Sequence, residues 1–247
     1  LSSLVASGAA SFVEVMIDNF LHLTPDALAA AFPGVPLSFH VMNSQFVRRD
    51  DRELDILSRR LKLFIRELKP LYVSDHLAVF THGGRRLPFP QEIDYAREGP
   101  LALDRAKRWQ DLLGVPVLFE NYPSILDAGR GQPRFLEKLL DAGAGLLLDL
   151  SNAVVAHKND AAPLDEWAAL ARRATRFHAA GYRPSETVPE FLVDSHDSEL
   201  SADTLDFLRR VKPLAAGRDC SLVIERDANI DAASWSRDLA AAEAAFA

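Results

Sequence analysis

The chain has almost no cysteine. Cys220 stands alone among 247 residues, so no internal disulfide can form and no zinc–cysteine site can be assembled. A reducing, cytoplasmic setting is the expectation that follows. Long apolar runs are missing too. None approaches the ~18–20 residues that cross a bilayer, although apolar residues make up 48% of the chain and can build a sizeable core. Positive charge is short, with a formal net charge of −7. That counts against a phosphate-tracking surface, so neither nucleic acid nor membrane is expected as a partner. No G-x-G-x-x-G follows any apolar run, and "GAG" (143–145) precedes one, which disfavours a Rossmann nucleotide site. Residues 1–12 show neither the basic stretch nor the cleavage motif of a secretion signal.

What is present is a strand motif that recurs. "VPLSFH" (35–40), "PLYVSDH" (70–76), "VPVLFE" (115–120), "AGLLLDL" (144–150), "ATRFHAAG" (174–181) and "CSLVIE" (220–225) are short, nearly continuous apolar runs. Such runs fit strands buried on both faces, as in a parallel sheet. "SFVEVMIDNF" (11–20) reads as an earlier strand, led in by a helix over 1–10. Helical stripes lie between the runs. Leu54, Leu57, Leu61, Phe64 and Leu68 keep the amphipathic rhythm. "TPDALAAAF" (24–32) has Thr24 as N-cap and Pro25 at the first helical position. Further short stripes centre on Phe135, Trp167, Leu208 and Trp235. The alternation implies βα units and one α/β domain over residues 1–247, a TIM (β/α)8 barrel. Seven strands are visible, so the first strand is expected before Leu1.

The runs also end alike, on His40, His76, Glu120, Asp149, His178 and Glu225. In a barrel the strand C-termini converge on one mouth, where active sites sit. Three carboxylates and three imidazoles in a small space would repel, and a multivalent cation resolves the conflict. "DSHD" adds Asp194 and His196, which face the same way if the segment is extended. "DLSN" adds Asn152 as an oxygen donor at a helix start. The donors are nitrogen and oxygen without sulfur, and too many for one ion. Two or three ions are expected, and iron, manganese and zinc all suit such ligands. His22, His82 and His157 read as ordinary surface or loop residues.

"FHVMNSQF", "SDHLAVF", "LPFP", "FENYPS", "LLLDLSNAVV", "FHAAGY", "DSHDSEL" and "VIERDAN" together resemble the multinuclear non-haem iron-dependent oxidative enzymes. The likeness covers essentially the whole chain. Within that family it is most similar to methanobactin-biosynthesis enzymes of the MbnB type, because "HVMNS" stands where more general members carry a His-Leu-Ser motif. The resemblance implies a TIM barrel holding two or three irons of mixed Fe(II)/Fe(III) state. Their ligands would be His40, His76, Glu120, Asp149, Asn152, His178, Asp194, His196 and Glu225. It also implies oxygen-dependent oxidation of cysteine in a ribosomally made precursor peptide, giving oxazolone and thioamide groups. A small MbnC-like partner protein, forming a heterodimer, would help present the peptide. Two catalytic roles fit this chemistry. Glu120 is the candidate bridging carboxylate. Asp194, expected on a loop, is the candidate for a group that moves or accepts a proton.

Two stretches, 81–100 and 183–193, read as long loops able to touch substrate. Arg85 and Arg86 could attract an acidic peptide or form a solvated turn. Asn43 and Gln45 could bond a peptide backbone or cap the loop. Cys220 reads as a buried small hydrophobe. Two other readings stay open on the residues alone. One is a metal-dependent sugar isomerase or abasic-site nuclease on the same barrel. The other is a metal-binding module without turnover.

Overall fold

Helix ends carry the local signals of the sequence into the structure. The computed structural model describes residues 2–246, with the side chains of Ser2, Ser3 and Phe89 outside the description. Leu1, at the head of the expected opening helix, and the Phe89 ring of "LPFP" therefore lie outside the described residues. The opening helix, α1 (Ser2–Ala6), is shorter than the sequence suggests. It stops where Gly8 takes φ +77° and its N–H returns to the Val5 carbonyl.

The chain divides into two compact units, one of residues 11–120 with 141–145, the other of residues 1–10, 121–140 and 146–247. In the first, β1 (Val13–Met16) is followed by α2 (Pro25–Ala31), capped by the Thr24 hydroxyl on Ala27 N at 3.2 Å. Next come β2 (Leu37–Val41) and α3 (Asp51–Leu68), whose Asp50 carboxylate accepts from Arg52 N and Glu53 N. Leu54, Leu61 and Phe64 bury the face that the stripe marks. Then follow β3 (Val73–His76), a hairpin of β4 (Val79–His82) and β5 (Arg85–Gln91), α4 (Tyr95–Leu113) and β6 (Val117–Glu120). β1, β2, β3 and β6 pair in parallel in that order. The register sets His40 beside Ser74 and His76 beside Glu120. Trp109, Phe39, Phe46, Phe64 and Phe119 fill the core of this unit.

The second unit holds α5 (Gln132–Asp141, its last residue in the first unit), β7 (Gly145–Asp149), α6 (Leu150–Lys158) and α7 (Leu164–Ala171). After β8 (Arg176–Ala180) come a small hairpin of β9 (Tyr182–Pro184) and β10 (Leu192–Asp194), α8 (Ala202–Ala215), β11 (Ser221–Glu225) and α9 (Ala232–Phe246). β7, β8 and β11 pair in parallel, with Asp149 level with His178. The eighth strand expected before Leu1 lies outside the described residues. Among those residues no helix is long and apolar enough to cross a membrane.

Four expectations need correction. The strand read over 11–20 stops at Met16 and gives way to a 3-10 turn, Ile17–Phe20. The cause is Asp18, whose carboxylate turns back to accept Met42 N at 2.7 Å and Asn43 N at 3.2 Å. The stretch 81–100 is no loop but most of the β4–β5 hairpin and the start of α4. Asp194 sits on no loop either, since it ends strand β10. Cys220 is half-buried rather than buried, just ahead of β11, with Sγ 3.6 Å from the Ala215 carbonyl.

Candidate metal centre

The first unit brings His40, His76 and Glu120 together. Their ligand atoms all lie within 4.8 Å of one another. His40 is 4% exposed, and its Nδ1 is 2.8 Å from Ser74 Oγ. Ser74 Oγ in turn donates to the Phe39 carbonyl at 3.4 Å, so its lone pair receives the His40 Nδ1–H. His76 Nδ1 lies 3.3 Å from the Val41 carbonyl, which can only accept. Both rings therefore carry their proton on Nδ1 and turn an Nε2 lone pair inward. The two Nε2 atoms are 3.5 Å apart. Glu120 Oε2 lies 3.4 Å from one and 3.3 Å from the other. Three acceptors converge on one point, a donor set that suits a cation with nitrogen and oxygen preference. Asp75 supports the strand end. It is buried, accepts from Trp109 Nε1 at 2.7 Å and from His76 N at 2.8 Å, and burial holds its carboxyl well above the usual range.

In the second unit, ligand atoms of Asp149, His178 and Glu225 lie within 4.8 Å of one another. His178 is fully buried, with Nδ1 at 3.1 Å from Glu225 Oε1. His196 stands beside this set. Its Nε2 is 2.7 Å from Asp194 Oδ1, and its Nδ1 is 3.3 Å from Asp227 Oδ2 and 3.7 Å from Glu225 Oε2. Burial pulls the His196 imidazole down, but Asp194, Asp227 and Glu225 overcome it and push its pKa up to about 12. That carboxylate field is one a divalent cation would also enjoy. His196 adopts φ +49°, a left-handed backbone that a non-glycine residue enters at some cost. Gly181, which ends the β8 run, admits this loop, since a Cβ there would collide with the Ser198 carbonyl.

Asp149 has a second duty as N-cap of α6, with Oδ1 accepting Asn152 N at 2.6 Å. Asn152 donates Nδ2 to the Asn121 carbonyl at 3.0 Å. Its Oδ1 is buried and has no hydrogen-bond partner among the described residues. A buried amide oxygen left so costs ~1–3 kcal/mol unless something else binds it. With the donor sets above, this orphan oxygen is the feature of the second unit that best fits a bound metal.

Of the residues expected to touch substrate, Asn43 and Arg86 are brought together, with Arg86 Nη2 3.5 Å from Asn43 Oδ1. Arg85 is exposed beside the turn of the β4–β5 hairpin, paired with His82. Gln45, at φ +52°, opens a turn in which its carbonyl accepts Arg48 N and Arg49 N. His22, His82 and His157 are exposed. Sequence reasoning missed Ser74, Asp75 and Asn121. Asn121 grips the Asp149 peptide from both sides, accepting its N–H at 2.7 Å and donating to its carbonyl at 2.9 Å. The available signal was adjacency for two of them, since Asp75 precedes His76 and Asn121 follows Glu120, while nothing beside His40 marks Ser74.

Known proteins share this plan. A family model described as "RiPP precursor modification enzyme MbnB/TglH/ChrH" matches residues 2–246. A UPF0276 protein of Caulobacter vibrioides is 30% identical over 240 residues, 89% of this chain and 80% of that one. A xylose isomerase-like TIM barrel protein from Mycobacterium smegmatis, solved with magnesium, matches with TM-score 0.61 at 16% identity, covering 92% of this chain and 81% of its own. The IOLI protein, solved with a zinc atom, also reaches TM-score 0.61, at 14% identity over 95% of this chain and 85% of its own. At such identities the structural likeness shows the fold, an α/β TIM barrel. The sequence match runs over nearly the whole length, and the chain belongs to the MbnB/TglH/ChrH family of RiPP precursor modification enzymes.

Proposed function

We propose that residues 1–247 act as one catalytic domain that oxidises cysteine in a ribosomally made precursor peptide. On this reading the reaction needs iron and O2, yields oxazolone and thioamide groups as in methanobactin maturation, and takes place in the cytoplasm with a small MbnC-like partner that presents the peptide. The observation that carries it is the first cluster, where two imidazoles fixed by Ser74 and Val41 turn Nε2 toward Glu120. Family membership supports the peptide substrate.

His40, His76 and Glu120 would hold one iron, and Asp149, Asn152, His178, Asp194, His196 and Glu225 would serve the others. Bound iron would supply the one-electron chemistry and the activation of O2. The chain's own residues supply geometry and charge. His40 and Glu120 are nearly fully buried, which keeps water from the ligand atoms. Glu120 would take the role of the bridging carboxylate. Asp194, whose Oδ1 lies 2.7 Å from His196 Nε2, would take the proton that a cysteine thiol must lose. Arg85 and Arg86 would attract acidic groups of the peptide, while Asn43 and Gln45 would bond its backbone. Oxygen uptake by the iron-loaded chain with peptide and partner tests the proposal. Glu120→Gln keeps the volume and removes the charge, and should cut turnover at least ~100-fold with loss of iron. Wild-type chain that consumes no oxygen under these conditions would refute it.

A further inference from the structure

Asn159 lies at the C-terminal end of α6, outside every ligand set considered so far. It is 2% exposed. Its side-chain amide pairs with a whole peptide edge of β10: Oδ1 accepts Leu192 N at 2.8 Å and Nδ2 donates to the Leu192 carbonyl at 2.9 Å. Nδ2 also lies 3.4 Å from the Ser124 carbonyl, and the Asn159 carbonyl accepts Leu126 N at 3.0 Å. One residue thus ties three segments together.

The tie matters because the β9–β10 hairpin is weak by itself. Each strand has three residues, and such a pair is marginal in water. Leu192 turns both its N–H and its carbonyl away from β9 and toward Asn159. Asn159 therefore stands in for a missing neighbouring strand. Leu192 and Asp194 are two apart, so their side chains share a face, and fixing the Leu192 peptide fixes the side from which Asp194 projects. His196 follows directly, and Asp194 Oδ1 is the atom 2.7 Å from its Nε2. At the other end of α6, Asp149 caps the helix and Asn152 sits in its first turn. Residues 150–156 are all buried, so α6 is a rod with ligand candidates at its head and a grip on the Leu192 peptide of β10 at its tail.

We propose that Asn159 is a positioning residue for the second cluster, holding Asp194 and His196 where they can share an ion with His178 and Glu225. The inference rests on the metal reading given above, and the test separates the two. Asn159→Ala and Asn159→Gln are prepared in the full chain and reconstituted anaerobically with ferrous iron. Iron content and affinity are measured, along with amide exchange of the metal-free proteins. Asn159→Ala should hold one ion fewer per chain, with affinity at that site down roughly 10–100-fold. Its amides at Leu192 to Asp194 should exchange at least tenfold faster, while those within α6 keep their protection. Asn159→Gln keeps the donor and the acceptor but carries them on an arm one methylene longer, so it should fall between Asn159→Ala and the wild type; it decides the matter if Asn159→Ala does not fold. Wild-type iron content with unchanged exchange at Leu192 to Asp194 would overturn the proposal, as would a uniform acceleration over the whole chain. A wild-type chain that takes up no iron sinks the metal reading, and exchange at Leu192 to Asp194 then still judges the clamp.

Discussion

His40 and His76 show how a ligand candidate can be aimed by an atom that would never meet a metal. Each ring is oriented through Nδ1, by the Ser74 hydroxyl in one case and the Val41 carbonyl in the other. The carbonyl cannot be removed by substitution, but the hydroxyl can. Ser74→Ala should leave the fold intact and free the His40 ring to turn. Metal affinity at the first cluster should fall ~10–100-fold, read by competition with a chelating dye. An unchanged affinity would mean that Ser74 merely fills space. The same logic separates Asn121 from the ligand candidates beside it, since its side chain holds the Asp149 peptide and its carbonyl accepts Asn152 Nδ2.

At the scale of elements, a strand and a helix share responsibility for the first cluster. α4 lays Trp109 against the end of β3, where its Nε1–H meets the buried Asp75 carboxyl. Trp109→Phe removes that donor from a group already pushed up by burial. It should cost about 1–3 kcal/mol in a denaturant midpoint, with metal content retained in the folded fraction. The strands were legible in the sequence because buried parallel strands read as apolar runs; their ends were less so, since β2 runs past His40 to Val41, β8 past His178 to Ala180, and β1 stops at Met16. α2 and α3 were legible from a cap and a stripe. α6 showed only its start, at "DLSN", since its buried residues lie all round and give no amphipathic period. The start of α4 was hidden by Gly99 and Pro100, which read as loop; Ala102, Ala106, Trp109 and Leu113 hold the helix through them. Ser74, Asn121 and Asn159 were out of reach for another reason. Their partners lie 34, 28 and 33 residues away in the chain, and nothing local marks those pairings.

For the whole molecule, both clusters gather acceptors that repel one another when no cation is present. Metal should therefore stabilise the folded chain by mass action. At a free concentration 100 times Kd the gain is about 2.7 kcal/mol for one site. For a chain of this size that raises Tm by roughly 5–10 °C, and a chelator should reverse it. The net charge of −7 adds to the same tendency, since bound cations relieve part of it. The TIM barrel by itself would serve an isomerase as well as an oxidase, so neither stability nor fold distinguishes them. Metal identity does. The decisive measurement is elemental analysis of anaerobically purified chain, joined to Mössbauer spectra of an iron-57 sample. Two or three irons per chain, some of them ferrous, is the result this account predicts. Zinc or manganese alone, with no oxygen uptake after iron reconstitution, would contradict it.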